Sequence, residues 1–132
     1  MGCDIHYIIE KKVEDKWIGV FTTAGLYWEC HPEGKNRNYD FFGRLANVRE
    51  YDANHPDPKG IPDDISDLSR MCISEIGTDG HSHSYCTAGE FCDAFNKNKR
   101  KKGQRPEHEI LGIYIEEDVN INDLRVVFYF DN

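Results

Sequence analysis

Between Cys3 and Lys11 the chain alternates, with Cys3, Ile5, Tyr7 and Ile9 on one side of an extended backbone and Asp4, His6, Ile8 and Glu10 on the other. A period of two suits a β-strand and not a helix, because successive side chains of a strand point to opposite faces. The chain must therefore build a sheet and cover at least one of its faces. A polar break at Glu14-Asp15 leads to Trp17-Ile18-Gly19-Val20-Phe21, which reads as the hairpin partner. Near the other end Ile110 to Ile115 and Leu124 to Phe130 are rich in β-formers and read as a closing pair of strands.

Helices fall between these strands. Asn38 is placed as the N-cap of a segment that turns Phe41, Leu45 and Val48 inward, with Phe41 and Phe42 as packing residues. Pro62 opens a second helix in which Ile65, Leu68, Met71, Cys72 and Ile76 recur at helical spacing, and Gly77 stops it. Thr87-Ala88-Gly89-Glu90 has the form of a capping box, starting a third helix with Phe91 and Phe95 one turn apart that runs to about Asn98. The expected fold is α+β, a small antiparallel sheet with about three short helices packed on one face. At 132 residues the chain is expected to form a single domain, residues 1–132.

Charge and cysteine usage narrow the function classes. A formal net charge of −8 argues against sequence-independent binding to duplex nucleic acid, which depends on many contacts from Lys and Arg to phosphates. The one concentrated basic stretch, Lys97 to Lys102, reads as a solvated helix end. No apolar run approaches the ~20 residues that span a bilayer, and Asp4, His6, Glu10, Lys11 and Lys12 interrupt any secretory h-region, so a cytoplasmic protein without membrane partners is expected. Met1-Gly2-Cys3 resembles a myristoylation start, but the sixth position is His6 and not Ser or Thr. Five cysteines with no CxxC pair are expected to be free thiols.

Two polar segments stand out as a site. In an extended chain His81 and His83 point to the same side and could offer two imidazoles to one metal, with Asp79 and Cys86 flanking them as further ligands. Zinc, manganese or magnesium is the divalent cofactor such a cluster admits. Asp4 and His6 repeat this geometry on the first strand, where a carboxylate beside an imidazole can orient its tautomer and make it a general base. The competing readings are a surface loop whose polar groups bond to neighbouring backbone, and a strand edge that simply faces water. Arg37 and Asn38, at a helix start, could hold phosphate, and Ser84 and Tyr85 extend the second segment with a hydroxyl and a stacking ring. The catalytic candidates are thus His81, His83, His6 and Asp4, and one shared pocket is expected to gather them.

Asp79-Gly80-His81-Ser82-His83-Ser84 resembles the opening D-x-H-x-H-S motif of the polymerase-and-histidinol-phosphatase metal hydrolases, over six residues only. The later ligands of those long barrel-like chains have no counterpart in the 48 residues after Ser84. End to end, the chain resembles a family of small bacteriophage-encoded proteins. The shared blocks are Met1-Gly2-Cys3-Asp4-Ile5-His6, Arg37-Asn38-Tyr39-Asp40-Phe41-Phe42, residues 60–66, His81-Ser82-His83-Ser84 and Val126-Val127-Phe128-Tyr129-Phe130-Asp131-Asn132. That resemblance implies a phage accessory protein at work in the cytoplasm of a host bacterium, and it brings no activity with it.

Three functions follow as expectations. The first is a hydrolase acting on a phosphodiester or nucleotide, such as a host defence signal, through the His/Asp site. The second is a non-catalytic binder, or sponge, of a nucleotide or small anion. The third is a protein inhibitor of a host defence enzyme, docking through the acidic surface.

Overall fold

The computed structural model describes residues 2–23, 37–96, 110–113 and 115–132. The residues that alternate in sequence form β1 (Asp4–Val13), joined to β2 (Lys16–Thr22) by the two-residue turn Glu14-Asp15. Both turn residues have positive φ, 49° and 69°, the twist that lets a two-residue turn follow the right-handed coil of its strands. Next come α1 (Tyr39–Ala46), α2 (Asp67–Ile76), β3 (His81–Thr87), α3 (Ala88–Asn96) and β4 (Leu124–Asp131). The sheet has four strands in the order β2-β1-β4-β3, and every pairing is antiparallel. This is the expected α+β architecture.

The strand near the end of the sequence closes against the first. Asp4 faces Asp131, His6 faces Tyr129, Ile8 faces Val127 and Glu10 faces Arg125. Cys3, Ile5, Tyr7 and Ile9 pack with Val126, Phe128 and Phe130 beneath α1 and α3, which contribute Phe41, Phe42, Leu45, Phe91 and Phe95 to the main core. The buried Tyr7 hydroxyl donates to the Leu111 carbonyl at 3.0 Å, so even this polar atom is satisfied inside the core.

The helices do not share one face. α2 covers the opposite side of the sheet, where Ile8, Cys72 and Tyr129 form a smaller cluster flanked by Leu68, Ile73 and Ile76. Gly19 makes this packing possible, because a Cβ there would lie 2.5 Å from the Leu68 Cβ. The caps on α1 and α3 match the sequence: Phe41 N donates to Asn38 Oδ1 at 3.2 Å, and Thr87 and Glu90 exchange bonds of 2.9 and 3.1 Å.

Three expectations need correction. The second helix starts at Asp67 behind the Ser66 cap and not at Pro62, and Met71 points to solvent at 61% exposure. Ile110 and Leu111 are helical and turn at Gly112 (φ 83°), so they do not open a strand, although both are buried. His81 to Ser84, expected in a loop, lie in β3. The expected helix end at Lys97–Asn98, the basic stretch Lys97 to Lys102 and His31-Pro32-Glu33-Gly34-Lys35, a turn-rich run that reads as a loop, lie outside the described residues. Among the described residues no helix is long and apolar enough to cross a membrane, and Cys3, Cys72, Cys86 and Cys92 are free thiols.

Candidate functional site

At one end of the sheet, on the α2 side, β1 and β4 place Asp4, His6, Tyr129 and Asp131 together through their antiparallel register. His6 Nε2 donates to Asp131 Oδ1 at 3.1 Å, and both side chains remain partly open to solvent. The His6 ring stacks on Tyr129 with centroids 5.4 Å apart. Across Tyr129, His83 of β3 packs on the same ring at 5.5 Å. One tyrosine therefore carries an imidazole on either flank, and its hydroxyl, which donates to the Cys72 carbonyl at 3.4 Å, is pushed up to about 12 by burial.

His81 does not join them. Ser82 has φ 54° at a β-bulge, so two residues of β3 oppose Tyr129 between the pairs His81–Phe130 and Ser84–Phe128. Without the bulge His81 and His83 would share a face. With it, His81 sits beside Phe130 and His83 beside Tyr129, which are successive residues of β4 and point to opposite sides. The His81 nitrogens lie 2.9 Å from the Ser82 hydroxyl and 3.2 Å from Asn132 Oδ1. Asp79 is exposed in the short 3-10 turn before β3. His81 and His83, expected on one side of the strand, thus lie on opposite sides of β3. Among the described residues no three His, Cys, Asp or Glu side chains group to hold a metal ion.

His83 is held differently from His6. Its Nε2 is buried with no hydrogen-bond partner, packed toward Gly80, where an added Cβ would lie 3.4 Å from it. Burial first, and the neighbouring His81 second, lower the His83 pKa, so its neutral form is favoured. The strand edge beyond it is tied down by Gly60 N to His83 O at 2.8 Å and Lys59 N to the buried Ser84 hydroxyl at 3.0 Å. Ser84 is thereby a structural latch.

Arg37 closes the site from the start of α1. Its Nε donates to Asp4 Oδ1 at 3.0 Å, and Asp4 is the first cause of the raised Arg37 pKa, so the guanidinium stays charged. The side chain is 58% exposed. Asn38 spends its side-chain oxygen on the helix cap. Burial pushes the Cys3 and Cys86 thiols up, which leaves them poor nucleophiles.

Sequence reasoning did not single out Asp131 or Tyr129 as site residues. The pairing of the two terminal strands was the signal available, since it sets Asp131 opposite Asp4 and Tyr129 opposite His6. It also overlooked a buried ionic group further along the same face. Glu10 is fully buried and accepts from Ser66 N at 2.7 Å, Ser69 Oγ at 2.6 Å and Arg125 Nε at 2.7 Å, while Arg125 reaches Asp64 at 2.8 Å.

Fold and site together define a small four-stranded α+β protein with an aspartate–histidine dyad and a second, neutral histidine on one sheet face. Comparison with protein-family models, curated proteins and solved structures finds no match.

Proposed function

We propose that this chain is a hydrolase acting on a phosphodiester or nucleotide, and that it serves as a phage accessory protein in the cytoplasm of a host bacterium, where a nucleotide defence signal is the substrate. The observation that supports this reading is the dyad of His6 and Asp131 at 3.1 Å, sharing a sheet face and the Tyr129 ring with His83. A carboxylate that fixes an imidazole from one side is the arrangement of a general base and its orienting partner.

In this mechanism His6 takes a proton from water while the water oxygen bonds to phosphorus. Asp131 orients the ring and offsets the charge it gains. As the ester P–O bond breaks, the leaving oxygen receives the proton back from His6. His83, half-buried and with its neutral form favoured by that burial, offers its other ring nitrogen to a phosphoryl oxygen. Arg37 donates Nε to Asp4, and among the described residues no other bond engages its fork, which leaves the Nη atoms to the phosphate.

The test is incubation of the purified protein with a mixture of mononucleotides and cyclic dinucleotides, followed by mass spectrometry, with and without added zinc, manganese or magnesium. New products that vanish in His6→Ala support hydrolysis. Recovery of an intact nucleotide from the heat-denatured protein, with no product formed, replaces hydrolysis by sequestration.

A further inference from the structure

The same sheet face carries a second polar centre at its other end. Trp17 of β2 and Tyr85 of β3 stand on either side of Arg125, whose Cζ is 4.1 Å from the Trp17 ring centroid and 5.9 Å from that of Tyr85. Lys12 Nζ lies 5.3 Å from the Trp17 ring and Lys59 Nζ 5.0 Å from the Tyr85 ring. These residues line a cleft of about 420 Å³ that contains none of the histidines.

Charge decides which solute suits it. Two carboxylates line the cleft, and both are engaged: Asp64 accepts from Arg125 at 2.8 Å, and Glu90 accepts from Thr87 N at 2.9 Å. Arg125 is itself held by Asp64 and by the buried Glu10. Among the described residues Lys12 and Lys59 have no carboxylate partner, and in a chain of net charge −8 two such ammonium groups beside two aromatic rings are a local exception. A cationic guest would be repelled by the two ammonium groups. An uncharged aromatic guest would leave both ammonium groups unanswered. A planar ring bearing phosphate answers both features, stacking on tryptophan or tyrosine while its oxygens take the lysines.

We infer that this cleft is a binding site for a mononucleotide, separate from the histidine site. The test is calorimetric titration of the full chain with AMP, with inorganic phosphate as the comparison. The expected result is saturable binding of AMP with a Kd of roughly 1 mM or tighter, weakened about tenfold or more in K12A/K59A and in Y85A, with phosphate alone at least about tenfold weaker than AMP. Absence of AMP binding overturns the inference, as does unchanged affinity in K12A/K59A. Phosphate binding as tightly as AMP overturns the assignment to a nucleotide. Binding that depends on His6 instead of the two lysines belongs to the histidine site and likewise overturns it.

Discussion

Burial acts on stability at His83, whose ring is half-buried, and at the fully buried Glu10. His83 has a folded-state pKa below its ordinary 6.5, chiefly because burial penalises the charged ring. The unfolded chain therefore binds the proton more readily, and stability falls as pH drops from about 6.5 toward the lower folded value, while above it the effect is absent. Urea unfolding followed between pH 7.5 and 5 should show this loss, and His83→Gln should show a shallower slope; an equal slope in both proteins would contradict the assignment. Glu10 and Arg125 are the second case. Arg125→Met strands a carboxylate that is fully buried, so it should cost about 3 kcal/mol or more, whereas Glu10→Gln with Arg125→Met should cost clearly less than the sum of the single changes. Chemical denaturation of the four proteins measures the cycle.

At the scale of elements, the β1–β2 turn holds two non-glycine residues at positive φ, and Asp15 is the more extreme at 69°. Asp15→Gly should relieve about 1 kcal/mol of strain, offset in part by the greater freedom of glycine in the unfolded chain. A small rise in thermal midpoint is expected, and a clear fall would mean that the Asp15 side chain makes a contact the turn depends on. In α3, Phe91 is fully buried against Tyr7, Phe41 and Phe128, so Phe91→Ala should destabilise by roughly 3 to 5 kcal/mol in the same denaturation assay. These elements also show what the sequence can reveal. β1 was legible because its alternation is local, and the α1 and α3 caps were legible because Asn38 and the Thr87–Glu90 box act within four residues. β3 was not, since His81-Ser82-His83-Ser84 has no apolar alternation and owes its extended form to pairing with β4, 44 to 49 residues further along between partners such as His81–Phe130 and Ser84–Phe128. Ile110 and Leu111 misled for the opposite reason: β-branched and aliphatic residues suit a core in any conformation, and here the core holds them as the end of a helical turn.

Across the whole sheet, β1 pairs with β4, and the candidate site lies at the Asp4–Asp131 end of that pairing. Asp4 and His6 were visible as a pair in the sequence, as was the histidine cluster, and His83 does join them on one face. The Ser82 bulge, which no local pattern announces, turns His81 to the other side and breaks the expected two-imidazole clamp. His6 bonds instead to Asp131, through a register set by the fold as a whole. In the proposed hydrolase His6, Asp131 and His83 work as one site and His81 stands outside it. Release of p-nitrophenol from bis(p-nitrophenyl) phosphate by the native protein, His6→Ala, Asp131→Asn, His83→Ala and His81→Ala tests it directly. Turnover by the native protein that drops about a hundredfold or more in His6→Ala, and clearly in Asp131→Asn and His83→Ala, but persists in His81→Ala is the predicted result. Turnover lost in His81→Ala and kept in His6→Ala, or no turnover by the native protein, would contradict it.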